Sequence, residues 1–257
     1  MRSAEQRVQR DLSKACVTPP RDGSTLPPGS VEYRVGVWPA RAPDPQRIDG
    51  GEVATALADQ PDYAPRRERR TTAVGYRVRM ELAEVSRPVT RIVELPSDMY
   101  LDEVSDVVQA AFGWLGYHLH RFAIGDPFAP GAEVCLCPFE VDDGEDGLDA
   151  RDVRLDELLG VPGEACTYAY DYGDGWEVQL RLTAVLPAAG PDEPRVRCTG
   201  GEGAPPPEDC GGPGGFDDIV ADRTTLDGST FDPDAFDSAR TTRAIGTDLG
   251  FRRGGRR

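Results

Sequence analysis

The sequence predicts an α+β domain behind a proline-rich, poorly ordered N-terminal extension. Two runs of alternating apolar and polar residues read as an antiparallel strand pair, and two more flank Gly173-Asp174-Gly175 as a β-hairpin. Between them lie segments whose apolar residues recur at helical spacing. Residues 1–72 show neither period, and prolines at 19, 20, 27, 28, 39, 43, 45, 61 and 65 interrupt them too often for a continuous fold.

Composition bounds the size of that domain. Of 257 residues 39% are hydrophobic, below the usual ~45–50%. The 29 glycines and 23 prolines lie mostly outside the periodic segments. A core of about 170–180 residues with loosely attached ends accounts for this better than two full domains. The division expected is an extension at 1–72, a domain at 73–250 and a basic tail at 251–257. A net charge of −16, from 45 acids and 29 bases, disfavours direct nucleic-acid binding, because a phosphate backbone repels such a chain. Residues 1–10 lack the apolar core of a signal peptide, and no stretch reaches the ~18–20 apolar residues that span a bilayer. The expectation is a cytoplasmic protein without a membrane segment. Its six cysteines (16, 135, 137, 166, 198, 210) are then reduced thiols or metal ligands.

Within the extension, residues 31–38 can form an edge strand and residues 51–60 a helix. The basic cluster Arg66-Arg67-Glu68-Arg69-Arg70 reads as a solvated linker. Residues 76–82 and 91–95 are the two antiparallel strands. A helix follows, with Leu101, Val104, Val107, Val108, Ala111 and Phe112 on one face, Asp98 as its cap and Gly113 as its stop. Residues 114–125 read as a strand that puts His118, His120, Phe122 and Ile124 on one face; these are the chain's two histidines. A short strand at 133–137, an acidic loop at 140–149 and a short helix at 152–160 lead to the hairpin. Beyond its second strand, which ends at Pro187, residues 198–212 are a loop too rich in glycine and proline for helix or sheet. Helices follow at 216–221 and 234–245, the second opened by Asp232-Pro233-Asp234, and the tail frays.

The hairpin carries a register argument. With a three-residue loop, Tyr172 faces Trp176, Tyr170 faces Val178 and Tyr168 faces Leu180, so one face is apolar throughout. Gly175 then takes a left-handed conformation. On the other face Asp171 opposes Glu177, at a cost of roughly 0.2–1 kcal/mol for like charges across a strand pair. A cation, an arginine or a protonated histidine nearby would offset that cost. A solvated acidic edge beside Arg181 is the plainer account.

Four motifs in order give the chain a family resemblance: Gly113-Trp114 with His118-Leu119-His120-Arg121-Phe122; Tyr170-Asp171-Tyr172-Gly173-Asp174-Gly175-Trp176-Glu177; Pro206-Pro207-Glu208-Asp209-Cys210-Gly211-Gly212; and Phe231-Asp232-Pro233-Asp234-Ala235-Phe236-Asp237. Across residues 74–245 the sequence resembles the plasmid pRiA4b open-reading-frame-three-like proteins, whose relatives travel as passengers of insertion elements and transposons. The resemblance implies an α+β domain with a mixed or antiparallel sheet and helices packed on one face. It supplies a genomic context rather than a mechanism. The chain departs from the family pattern at Tyr100, where threonine is common, and at Ser105, where a histidine is common.

The candidate functional surface comprises His118, His120, Asp171, Tyr172, Asp174, Trp176, Glu177, Glu208 and Asp209. His118 and His120, two apart on a strand, offer half of a metal site, with Asp171, Glu177, Cys198 and Cys210 as further ligands and zinc as the ion. The structural alternative is that both histidines hydrogen-bond to hairpin acids or backbone and fix the loop. Cys135 and Cys137 read as small packing residues. The loop at 198–212 lacks the Lys-Ser/Thr of a phosphate loop, the hairpin lacks the ligand ladder of an EF-hand, and no nucleophile elbow is present. The expected function is therefore a mobile-element accessory module that recognises a protein partner or a small ligand without catalysis. A metal-dependent hydrolase, acting on phosphodiesters through His118, His120, Asp171 and Glu177, is the alternative.

Overall fold

The computed structural model describes residues 66–190 and 192–255. The strand expected at 31–38 and the helix at 51–60 lie outside the described residues. Eight strands form one sheet: β1 (Gly75–Leu82), β2 (Thr90–Pro96), β3 (His120–Ala123), β4 (Val134–Leu136), β5 (Leu148–Asp149), β6 (Ala165–Tyr170), β7 (Trp176–Leu186) and β8 (Arg197–Glu202). Their spatial order is β5-β4-β3-β6-β7-β1-β2-β8. Every neighbouring pair is antiparallel except β4 and β5, which makes the sheet mixed. Five helices accompany it among the described residues: α1 (Leu101–Phe112), α2 (Pro138–Asp142), α3 (Leu155–Leu158), α4 (Gly212–Asp222) and α5 (Ser238–Gly255).

Strict alternation decides which face of the sheet is covered. Tyr76, Val78, Met80 and Leu82 of β1, with Val178, Leu180 and Leu182 of β7, point into one core. Helix α1 lays Leu101, Val104, Val107, Val108 and Phe112 on it, α4 adds Phe216 and Ile219, and α5 adds Ile245. Each such side chain contributes about 1.5–3 kcal/mol by leaving water. At the far end of the sheet α2 covers a smaller cluster, with Val141 against Ala123, Val134 and Leu136.

Helix α1 starts differently from expectation. Tyr100, not Asp98, is at the capping position, and no side chain caps the helix. The N–H groups of Leu101 and Asp102 instead donate to the carbonyls of Val153 and Ala150, at 2.9 and 3.3 Å. A neighbouring loop thus satisfies donors that a capping side chain ordinarily meets. Gly113 closes the helix at φ 73°, as its sequence position predicts.

The hairpin register is offset by two residues from the expected one. Tyr170 pairs with Trp176, Tyr168 with Val178 and Cys166 with Leu180. An even offset keeps the tyrosines on the core face. The loop is longer because Asp171 leaves the strand at φ 48°, with its Oδ1 accepting the N–H of Gly173 at 3.1 Å and its carbonyl that of Gly175 at 2.6 Å. Ala169, not Asp171, therefore faces Glu177, and the expected like-charge pair does not form. Gly175 is left-handed as expected, at φ 73°.

Other expectations also shift. Strand β3 begins only at His120, and residues 114–119 are irregular. The expected acidic loop at 140–149 opens with α2, whose Glu140 is buried in an ion pair with Arg121 and accepts the Tyr172 hydroxyl at 3.0 Å. Residues 198–202, expected in a loop, belong to edge strand β8. Glycine permits this: a Cβ on Gly201 would run into the Thr90 carbonyl oxygen and crowd Arg91. Helix α4 begins earlier than expected and α5 later, after Asp237 accepts the Arg240 N–H at 2.9 Å. Residues 66–70 are not a solvated linker. Arg66 and Arg69 pair with Glu157, Arg67 pairs with Glu164, and Arg70 donates to the Tyr76 hydroxyl at 2.9 Å. No helix among the described residues is long and apolar enough to cross a membrane.

Candidate functional site

Three irregular segments meet at one end of β6. The first runs from α1 to β3. There Trp114 turns inward to stack on Tyr170, with ring centroids 4.7 Å apart and planes at 14°, and this brings Tyr117 and His118 alongside. The second is the hairpin loop, tied to the first by the Asp171 N–H donating to the Leu119 carbonyl at 3.0 Å. The third is the loop before α4, which supplies Glu208 and Asp209. Glu208 is held at both oxygens, by the Leu115 N–H at 2.6 Å and by the Tyr170 hydroxyl at 2.8 Å. Asp209, left-handed at φ 52°, accepts the Tyr117 hydroxyl at 2.8 Å.

These anchors converge on one imidazole nitrogen. His118 Nε2 lies 3.1 Å from Asp209, 3.5 Å from Asp171 and 3.6 Å from Glu208, oxygen by oxygen. The His118 and Asp171 side chains are 4% and 5% exposed, whereas that of Asp209 is 62% exposed, so the cluster opens to solvent on one side only. Burial raises the Asp171 carboxyl above its ordinary range, against the pull of His118. Burial raises Glu208 likewise, opposed by the Leu115 N–H and the Tyr170 hydroxyl. The Tyr117 and Tyr170 phenols are pushed up by burial and by the carboxylates they face, so both remain donors. A single ring N–H cannot satisfy three carboxylates.

The raised carboxyls give a pH prediction. The folded chain keeps protons on Asp171 and Glu208 just above the ordinary carboxylate range of about 3.9–4.3, where the unfolded chain has lost them. Their contribution to stability therefore falls as pH rises through that window. Asp171→Asn and Glu208→Gln should each flatten this fall in urea denaturation between about pH 4 and 7. Slopes identical to wild type in both variants would count against the buried, crowded site described here.

The donor set can hold a cation. One ligand atom each from His118, Asp171 and Asp209 lies within 4.8 Å of the others. Metal–ligand bonds of about 2.0–2.2 Å place ligand atoms roughly 3–3.5 Å apart, so the widest separation in the group closes by roughly 1–2 Å when an ion binds. Of the residues expected at the site, His118, Asp171, Glu208 and Asp209 come together. His120 is not among the converging ligand atoms; its ring lies beside Tyr168 at 5.7 Å and its Nδ1 3.5 Å from the His118 carbonyl. Tyr172 turns away to Arg121 and Glu140. Asp174 accepts the Gly211 N–H at 3.0 Å and so caps α4, which has no cap of its own. Trp176 is core rather than surface, packed on Trp114 and Phe216. Glu177 projects elsewhere, with Asp126 and Glu84 as its acidic neighbours. Cys198 donates its thiol to the Gly200 carbonyl, and neither Cys198 nor Cys210 is among the ligand atoms that converge at His118. Trp114 and Tyr170 lie within the quoted motifs and Tyr117 directly before His118, yet nothing in the sequence marks the three as site residues. Only the folded chain shows that their hydroxyls and rings hold the acids in place.

The protein is a helix-backed mixed sheet that carries a histidine–carboxylate cluster at one strand end. The chain belongs to the plasmid pRiA4b ORF-3-like family, whose pattern matches residues 74–240. It is 34% identical over 144 residues to the uncharacterized protein y4hQ of Sinorhizobium fredii, covering 56% of this chain and 70% of that one. The fold is similar to that of MM3350, a protein of unknown function from Methanosarcina mazei, with a TM-score of 0.56 and 23% identity over 66% of this chain and 98% of that one.

Proposed function

We propose that this domain is a cation-dependent recognition module that serves mobile elements in the cytoplasm. His118, Asp171 and Asp209, backed by Glu208, hold a divalent ion such as zinc or manganese. The ion's open side, flanked by Tyr117 and the exposed Leu115, takes an anionic or carbonyl group of a protein partner or small ligand. The observation that carries this reading is the single imidazole nitrogen within 3.1–3.6 Å of three carboxylate oxygens, two of them on largely buried side chains. Such a surplus of negative charge is relieved by a cation or by protons. One nitrogen and several hard oxygens suit zinc or manganese better than a thiolate-seeking ion. Direct nucleic-acid contact finds no support, since the arginines of residues 66–70 pair within the domain and the net charge is −16.

Elemental analysis and thermal shift test the reading. About one equivalent of metal should bind and stabilise wild type by about 2.7 kcal/mol at a free concentration of 100 Kd. His118→Gln and Asp171→Asn should lose that gain. No bound metal and no shift with zinc, manganese or magnesium would sink the proposal. The exposure of Asp209 favours a second reading, a phosphodiester hydrolase, because catalytic metal sites keep a position open for water. Metal-dependent turnover of bis(p-nitrophenyl) phosphate that disappears in His118→Gln would select it over recognition alone.

A further inference from the structure

Arg91 of β2 is 1% exposed, yet among the described residues no carboxylate pairs with it. Its Nε donates to the Ala111 carbonyl at the end of α1, and its Nη1 to the carbonyls of Thr90, Glu202 and Gly203 at 2.7–3.0 Å. Nη2 takes none of these acceptors. The guanidinium lies between two rings, 5.3 Å from the Phe112 centroid and 4.7 Å from that of Phe236. Burial lowers its pKa to about 10, which leaves it protonated at neutral pH. Carbonyl dipoles stabilise this charge without neutralising it, and a buried cation ordinarily has an anionic partner.

A cleft of about 490 Å³ opens beside it, lined by Arg91, Gly113, Pro205, Phe236, Arg240 and Thr241. Its volume suits a small organic ligand. Arg240 stands exposed at its rim and makes no ion pair among the described residues. Asp237 also lines the cleft; its exposed carboxylate accepts the Arg240 N–H at 2.9 Å and feels the charges of Arg243 and Arg240. The remaining wall is Ala110, Ala111, Ala235 and Ala244.

We infer that this cleft binds a small organic anion, with a carboxylate or phosphate group held by Arg240 in the field of the buried Arg91 charge and an apolar or aromatic body along Phe236 and the alanines. The site shares no residue with the His118 cluster and does not depend on its function. Calorimetry on the full chain with benzoate, phenyl phosphate, inorganic phosphate and neutral benzamide tests it. Benzoate or phenyl phosphate should bind at least about tenfold tighter than benzamide, as a charge-assisted contact requires. Phenyl phosphate tighter than benzoate would mark phosphate as the natural group, and the reverse order carboxylate; either supports the site. Arg240→Gln, at an exposed position that leaves the fold intact, should weaken the better ligand about tenfold. Ala244→Trp should fill the cleft and abolish binding while leaving the circular dichroism spectrum unchanged. Benzamide binding as well as the anions, inorganic phosphate binding as well as phenyl phosphate, no heat with any anion, or unaltered affinity in both variants would overturn the inference.

Discussion

Gly212→Ala should destabilise the protein by about 2–5 kcal/mol, of which 1–2 is left-handed strain and 1–3 is overpacking. Gly212 has φ 73°, and a Cβ there would overlap the Asp174 carbonyl oxygen at the tip of the hairpin loop. That oxygen is backbone, so relief requires the hairpin or the loop before α4 to move. Movement breaks the Gly211 N–H contact to Asp174 and displaces Glu208 and Asp209 from His118. Denaturant unfolding gives the stability change, and metal titration gives the site change. Retention of both at wild-type values would show that the loop is anchored elsewhere.

Trp176→Ala should cost about 3–5 kcal/mol, the usual loss for truncating a fully buried tryptophan. Trp176 packs on Trp114 at 5.9 Å and on Phe216 at 6.3 Å between ring centroids, joining the helical layer to the site. Among the described residues the Trp114 indole N–H has no hydrogen-bond partner, so the orientation of its ring rests on packing. Once Trp176 is gone, Trp114 is free to tilt away from Tyr170, whose hydroxyl holds Glu208. Urea unfolding with tryptophan fluorescence reads the loss. A change below about 1 kcal/mol, the range of surface substitutions, would contradict the burial described here.

The strands and α1 were legible because their burial obeys a period. Tyr76–Leu82 alternates and Leu101–Phe112 repeats at helical spacing, and the structure follows both. What escaped was decided by contacts distant in sequence. Nothing near Tyr100 announces that Ala150 and Val153 will take the first N–H groups of α1. Nothing near Gly201 announces a strand, because the reason is the Thr90 backbone pressing against it. The hairpin parity was readable from the tyrosines, but the offset of two was not, since it hinges on Asp171 adopting φ 48°. His118 and Asp171 were paired from the scarcity of histidine and the excess of acid. His120 was joined to them by assuming a strand that begins six residues too early.

The arginines at 66–70 carry the packed unit beyond the family pattern. The family pattern starts at residue 74, yet Glu157 and Glu164 are neutralised by Arg66, Arg67 and Arg69, all upstream of it. The Tyr76 hydroxyl likewise receives a proton donor from Arg70 while giving its own to the Leu159 carbonyl. A fragment cut at the family boundary would keep these acceptors and lose their donors. Sequence similarity and thermodynamic integrity thus draw different edges on the same domain, and the second lies several residues further toward the N-terminus.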